Sequence, residues 1–515
     1  MNSKEENYFL EIFKPSQLNK KEERIIYRLF EILPGALSLG TILMAIVFSK
    51  ILPVFFSFFV IFFDLLWLVR IGYLSFYQLS SFFKMKKNLK VNWLEKLKKE
   101  KGWEKIYHLV VLPFYKEQKE IIENSIKAIE NSFYPKEKII LVLGAEERAG
   151  ESAIRIAEEL KQKYEKKFLS FLVSIHPKNL PGEIPGKGSN VCFAIKEATE
   201  KIINKLNIPL ENVLVSNFDI DTRPYPFYFA CLTFNFLKEK KEKVAFQPIP
   251  LYNNNIWQVP AFSRIVATSS TFWQMIQQER KEMATIFSSH AVLLKVLKEV
   301  EYPKNVVSDD SRLFWKAFLF YKGNFQIVPL YYPVSMDAVL SNTLIKTIIN
   351  QYKQQRRWAW GCNDIPFLLF GFLKVKGIPF LLKLKKAFFL IEGFWSWATV
   401  ALLLAVLGWL PLWLGGEEFN TTIFAFNLPR MTQNLMTIGM FGILIGGAIS
   451  FTLLPPKPKE VSSFKYLIFI FQWLLLPITL IFFGSIPALD AQLKLMLGKY
   501  MDFWPTEKIV LKNGR

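Results

Sequence analysis

The stretch VSNFDIDTRP, Val215 to Pro224, ends an apolar run on two acids one residue apart. Three similar runs precede it, YHLVVLPF, KIILVLGA and FLSFLVSIH, separated by amphipathic helical stretches such as EIIENSIKAIENSF and ESAIRIAEELKQKYEKKF. Buried parallel strands joined by crossover helices give this alternation. It predicts a doubly wound, Rossmann-like α/β domain over residues 84–385. In such sheets ligands bind at the carboxyl ends of the strands, which is where Asp219 and Asp221 fall. Residues two apart on an extended strand face the same way, so the two carboxylates are expected to present to one hard cation, Mg²⁺ or Mn²⁺. An acidic turn closing the strand is the plainer alternative.

The rest of the chain is less soluble in character. Of its 515 residues 51% are apolar, with 49 Phe and 14 Trp, so part of the chain belongs in lipid. The three Cys (Cys192, Cys231, Cys362) and three His (His108, His176, His290) are scattered without paired spacing, which argues against a disulfide framework and against a transition-metal site. The net charge of +21 is concentrated beside apolar segments, as in KMKKNLKVNWLEKLKKEKGWEK and KVKGIPFLLKLKK. Such clusters mark the cytoplasmic side of a membrane, each Lys or Arg near anionic lipid contributing about 1 kcal/mol. No stacking motif of aromatic and basic residues accompanies them, so the expected partner is a lipid bilayer and not nucleic acid.

Around the α/β domain the pattern divides into a cytosolic segment, 1–33, and a transmembrane hairpin of two helices, 34–75, broken at Ser49, Lys50 and Pro53. A C-terminal transmembrane region, 386–487, holds about three spans, and a basic tail covers 488–515. Thirty mixed-charge residues before the first apolar block disfavour a signal peptide. Three spans after two would leave the tail outside, whereas its basic composition favours the inside. A re-entrant last segment broken at Pro477, or membrane depth from 365–385, would reconcile the two. The expected location is the plasma (inner) membrane, multi-pass, with the middle domain cytoplasmic.

Three motifs give the acids company. DIDTRP resembles the D-x-D-T-x-P motif of family-two glycosyltransferases, SDDSRL resembles their E-D-x-x-L motif, and QQRRW resembles Q-x-x-R-W, in the family's order at Asp219, Asp310 and Gln354. The resemblance covers roughly 105–360, and the flanking spans agree with the membrane branch that contains cellulose, chitin and hyaluronan synthases and ceramide glucosyltransferase. It implies a GT-A catalytic domain inserted between transmembrane helices. It further implies an inverting transfer from a nucleotide-diphosphate sugar, with Asp310 as general base, Asp219 and Asp221 on the metal, and Arg357 on the departing diphosphate. Trp358 would offer a flat face to the acceptor sugar, and Gln354 a hydrogen bond to diphosphate or acceptor. Taken alone, Asp309 and Asp310 also suit a helix N-terminus, and QQRRWAW an interfacial helix with snorkelling arginines.

At the donor end VLPFYKEQ resembles the family's opening loop, placing Tyr115 and Glu117 along the nucleotide base, with Lys116 in place of the usual Asn. Glu146 and Glu147 stand where the family has a base-contacting Asp. A glutamate accepts the same hydrogen bonds on a longer arm, and a UDP-sugar is the favoured donor. Lys187 and Asn190, in HPKNLPGEIPGKGSN, resemble the family's G-K-x-x-A-L-N region at the diphosphate, where a simple glycine-rich turn is the alternative. FWPTEK, Phe503 to Lys508, resembles the F-x-V-T-x-K gating loop of cellulose synthases, with Thr506 beside the diphosphate and Pro505 in place of Val.

Together these imply a transferase acting on a growing polysaccharide, with processive extension and coupled translocation. The alternatives are a non-processive glycolipid synthase with a lipid acceptor and, from another class, a catalytically silent channel or assembly partner.

Overall fold

The computed structural model describes residues 7–507 and 509. The apolar block near the N-terminus folds as a helical hairpin, α1 (Lys21–Ile51) and α2 (Pro53–Leu89), with Pro53 at the first position of the second helix, where its missing N–H costs nothing. Helix α1 starts at Lys21 and not at 34, because KEERIIYRLFEIL already repeats apolar residues at helical spacing. Helix α2 continues into the α/β domain without a break. Its Phe82 and Met85 pack with Ile249 and Leu251, and Asn88 donates to the carbonyls of Leu330 and Tyr331 at 3.3 and 3.2 Å.

The domain alternates β1 (Tyr107–Phe114), α3 (Lys119–Glu130), β2 (Ile139–Glu146), α4 (Glu151–Tyr164), β3 (Ser170–His176), α5 (Lys187–Ala198) and β4 (Val213–Asn217). It continues through β5 (Arg223–Pro224), α6 (Tyr228–Glu239), β6 (Val244–Leu251), α7 (Ala261–Glu279), β7 (His290–Leu293), α8 (Asp309–Phe320) and β8 (Gln326–Ser335). The eight strands form one sheet in the order β3-β2-β1-β4-β7-β6-β8-β5. Strands β1 to β4 pair in parallel, as continuous apolar runs buried on both faces should.

Beyond β4 the sheet departs from the all-parallel expectation. Strand β7 pairs antiparallel with β4 and β6, β8 is parallel to β6, and β5 is antiparallel to β8. Pro248 and Pro250 break the apolar signal of β6, whose pairing with β8 shifts register between Gln247 and Ile249, and β5 is too short to leave a signal.

After β8 come α9 (Leu344–Ala359), α10 (Asp364–Lys374), α11 (Phe380–Ala405), α12 (Ile423–Thr452) and α13 (Lys465–Met496). The helices α1, α2, α11, α12 and α13 are long and apolar enough to span a membrane. Contacts order the first four. Glu392 and Trp395 of α11 meet Arg70 and Phe63, and Phe424 of α12 lies 4.5 Å from Phe58 while Thr452 accepts from Lys86, so α11 runs against α2 and α12 runs with it. Helix α13 differs, since both its ends rest on the α/β domain. Lys465 donates to the Trp257 carbonyl (2.7 Å), and Asp490 accepts from Arg356 (2.9 Å) and Tyr352 (3.0 Å) of α9. Between these ends the helix tightens over Gln472–Leu475, widens over Ile481–Ser485 and carries Pro477 and Pro487.

The N-terminal segment also packs on the domain. Glu11 pairs with buried Lys316 (2.6 Å), and the Ile12 carbonyl accepts from Arg312, which forms a buried ion pair with Asp364 at 2.7 Å. The described N-terminal segment thus meets α8, the helix that begins at Asp309, whose Arg312 in turn holds α10.

One core histidine gives the fold a pH signature. His108 of β1 is fully buried between the rings of Tyr134 and Phe229, with its Nε2 2.8 Å from Thr233 Oγ1. Burial pushes it down to about 3, so the native state keeps it neutral where the unfolded chain, near 6.5, takes up a proton. Its contribution is complete above about pH 6.5 and is lost as pH falls toward the folded value. In thermal unfolding across pH 7 to 4.5, the stability gap between wild type and His108→Gln should move against wild type by about 1.4 kcal/mol per pH unit below pH 6. A gap that stays constant with pH contradicts a neutral buried imidazole.

Candidate active site

Parallel pairing puts the carboxyl ends of β1, β2 and β4 along one edge of the sheet, and the predicted residues gather there. Asp219 and Asp221 do not lie on the strand, as simple alternation required. Strand β4 ends at Asn217, and the Thr222 N–H closes a turn on the Asp219 carbonyl at 2.8 Å. The pair is therefore presented by a turn, and each carboxylate finds a different environment.

Asp219 sits in a tight ionic cluster. Its Oδ1 is 2.6 Å from Lys187 Nζ, at the first position of α5, and its Oδ2 accepts from Ser288 Oγ at 2.6 Å. The backbone N–H of that same Ser288 donates to Asp310 Oδ2 at 2.6 Å, while Asp310 Oδ1 accepts from the Ser311 N–H at 2.8 Å. One residue thus ties the D-x-D turn to the start of α8. Burial alone would lower Lys187, but Asp219, Asp309 and Asp310 together hold it above the ordinary lysine range. Gly188 permits this closeness, because a Cβ there would lie 2.5 Å from the Pro303 carbonyl and 2.8 Å from Asp309 Cβ.

Asp309 faces inward and accepts from Tyr302 Oη (2.8 Å), which accepts from Asn217 Nδ2 (2.8 Å). Burial raises the Asp309 carboxyl above the usual aspartate range against the pull of Lys187. Of the two adjacent acids, Asp310 is the one turned toward Ser288. Asp221 Oδ2 accepts from the Asp337 N–H (2.9 Å), and Asn254 Nδ2 bridges the Asp221 carbonyl (3.1 Å) and Asp337 Oδ1 (2.9 Å).

Helix α9 brings up the third motif. Trp358 packs against Tyr252 and Phe287 at 6.2 and 5.6 Å between ring centroids, and Gln354 is buried and accepts from Gln351 at 3.2 Å. Arg357 lies 5.2 Å from the ring of Phe503, and its Nε has no hydrogen-bond partner among the described residues. The tail has thus returned to the site. Phe503 also fills the space where a Gly186 Cβ would stand, at 2.8 Å, Lys353 lies over Trp504 at 5.0 Å, and Asn350 donates to Glu507 at 3.2 Å. Thr506 is buried with its hydroxyl unpartnered among the described residues. Lys508, the last residue of the gating-loop-like motif, lies outside the described residues.

At the donor end Glu117 Oε2 accepts from the Tyr115 N–H at 2.7 Å. Glu146 is buried and ion-paired with Arg148, whose guanidinium lies 4.6 Å from the Tyr115 ring centroid. The carboxylate expected to read the base is thereby bound to Arg148. Asn190 corrects its assignment. It is fully enclosed, and its amide donates to the Gly144 carbonyl at 2.8 Å, so it joins α5 to β2 instead of lining the open edge. Ser288, Asp337, Tyr252 and Arg148 went unnoticed in the sequence. None belongs to a short motif, and only the pairing of β7 beside β4 brings Ser288 to the acids.

Among the described residues no three His, Cys, Asp or Glu side chains form a metal cage. Asp219 and Asp221 supply oxygen donors only, which fits Mg²⁺ or Mn²⁺ drawing its remaining ligands from phosphate and water.

No protein-family model matches the chain, and no curated protein matches it. Solved structures with a similar fold include a mannosyltransferase from Pyrobaculum calidifontis in complex with GDP-Man and Mn²⁺, 14% identical with a TM-score of 0.40, covering 73% of this chain and 99% of that one. Another is residues 1–349 of S. aureus TarS in complex with UDP-GlcNAc, 13% identical with a TM-score of 0.37, covering 67% and 91%. Similarity at this level carries no functional argument, and the reading of the site comes from its own side chains.

Ser288 holds a left-handed backbone, φ 51°, which a side chain other than glycine adopts at a cost of about 1–2 kcal/mol. Replacing it by Gly should therefore leave the protein about 1 kcal/mol more stable than replacing it by Ala, since both lose the hydroxyl and only Gly relieves the strain. Equal melting temperatures for the two variants in detergent contradict the strained geometry.

Proposed function

We propose that the protein is a membrane-bound inverting glycosyltransferase with a GT-A catalytic domain, moving a sugar from a nucleotide-diphosphate sugar to an acceptor at the membrane surface. The observation that carries this reading is the convergence of Asp219 and Asp310 on Ser288, with Lys187 paired to Asp219 and Arg357 brought up against the tail. A carboxylate base, a pair of oxygen ligands and two cations at one strand edge suit an anionic donor and a hydroxyl acceptor.

Asp310 takes the proton of the acceptor hydroxyl as that oxygen attacks the anomeric carbon. The bond from the anomeric carbon to the phosphate oxygen breaks, and its electron pair leaves on the diphosphate. Lys187 and Arg357 offset that charge, Arg357 with a planar fork suited to phosphate oxygens. A divalent cation on Asp219 and Asp221 would supply further charge neutralisation at the diphosphate. Tyr115, Glu117, Glu146 and Arg148 form the base end, and Gln354 and Trp358 the acceptor end. Thr506 closes over the diphosphate, and Asn190 supports from beneath.

Contacts support one membrane placement. The N-terminal segment, the tail and both ends of α13 rest on the catalytic domain, which favours a reading in which α1, α2, α11 and α12 cross and α13 dips and returns on the catalytic side. Leu344, Ile345, Ile348 and Ile349 leave an apolar face exposed on α9, which seats the acceptor end at the lipid surface. A growing polysaccharide passed between the spans is the reading we favour, with a lipid acceptor the second, because that apolar face would also present a lipid to Trp358. Product length separates them.

Nucleotide diphosphate release by the protein in lipid, with Mn²⁺ and UDP- or GDP-sugars, tests the transfer. Asp310→Asn should lower the rate about 10²- to 10⁴-fold while donor binding persists, and Asp221→Asn should also weaken metal-dependent donor binding. Unaltered release in both variants contradicts these roles, and a wild type that releases no nucleotide from any donor favours a silent membrane partner.

A further inference from the structure

Tyr252 follows the last residue of β6 and lies in the middle of the proposed site, although no motif includes it. It is 7% exposed, and its hydroxyl has no hydrogen-bond partner among the described residues. Buried hydroxyls are almost always paired, so an unpaired one beside charged groups calls for a ligand. Asp219, Asp221, Asp310 and Arg357 all act on this hydroxyl. Its ring packs at 6.2 Å and 44° against Trp358, the flat surface assigned to the acceptor.

We propose that Tyr252 is a substrate-binding residue whose hydroxyl donates a hydrogen bond to the attacking oxygen of the acceptor. This inference rests on the transferase reading above. A phenol titrates at about 10, and burial moves Tyr252 further up, so it stays protonated near neutral pH and acts as a donor. An acceptor hydroxyl has two lone pairs and one proton. With one lone pair held by Tyr252 and the proton directed at Asp310, the second lone pair is left to form the bond to the anomeric carbon. The proton passes to Asp310, the electron pair of the breaking bond leaves on the diphosphate, and Tyr252 keeps its own proton throughout.

The arrangement also bears on the choice between acceptor and water. A sugar ring stacked on Trp358, which packs against Tyr252, would be held by more contacts than a water, which lacks the stacking face. Loss of the Tyr252 hydroxyl should therefore harm transfer to the acceptor more than hydrolysis of the donor.

Tyr252→Phe in the full-length protein in lipid is the direct test, because it removes one atom that has no hydrogen-bond partner among the described residues. Acceptor-dependent nucleotide release should fall roughly tenfold or more and the acceptor KM should rise. Nucleoside diphosphate affinity with Mn²⁺ and the melting temperature should stay within about twofold and a few degrees of wild type, and the share of donor lost to hydrolysis should increase. Full transfer by the variant overturns the inference while leaving the transferase reading intact. A parallel loss of diphosphate affinity also overturns it, by assigning Tyr252 to the donor. A wild-type protein that releases no nucleotide from any donor overturns the transferase reading and this inference with it. Tyr252→His, which can still donate, should recover part of the lost transfer, and recovery by an apolar Leu instead contradicts a role for the hydroxyl.

Discussion

The site is organised around a single residue. Ser288 binds Asp219 through its hydroxyl and Asp310 through its backbone N–H, and it does so from a left-handed conformation. In that conformation its N–H and its side chain both reach the strand edge, which an extended backbone would separate. Strained backbone at a site of converging carboxylates is retained only when the surroundings over-determine it. Here β7 provides the constraint, since His290 pairs with Asn217 across the sheet, and Ser289 adds a bond to Thr222 at 2.8 Å.

Charge balance makes the same arrangement stable. Three carboxylates gathered at one edge repel one another, and Lys187 at the start of α5 answers all three. Gly188 brings that helix close enough, and the inward turn of Asp309 toward Tyr302 leaves Asp310 free to face Ser288. The membrane parts join the site through α9, where Arg356 holds Asp490 of α13 and the next residue, Arg357, meets the returning tail. A movement of α13 would thus reach the acceptor end through one turn of helix.

Much of this was legible in the sequence. The buried strands announced themselves as unbroken apolar runs, and the three motifs named Asp219, Asp310 and Arg357 because each carries its chemistry in adjacent residues. The geometry of the acid pair was misread. Alternation was carried past Asn217, where the strand ends and a turn takes over. Motif position says nothing of burial, and in the fold Asn190 is enclosed with its amide nitrogen on the Gly144 carbonyl. Ser288 and Tyr252 were invisible for a different reason, since each owes its place to a strand end far from the acids in the chain. Apolar length gives five candidate spans, and the re-entrant last segment that Pro477 suggests agrees with the contacts at both ends of α13.

The central claim is that this edge of the sheet binds a nucleotide with a divalent cation. Calorimetric titration of the wild-type protein in detergent with UDP and with GDP, each with and without Mn²⁺, tests it most directly. The account predicts saturable binding of one nucleotide that depends on Mn²⁺ and is weakened by Lys187→Ala, since that lysine balances the acids and is proposed to offset the charge of the diphosphate. Binding of neither nucleotide, or binding indifferent to the metal and to Lys187, would contradict it.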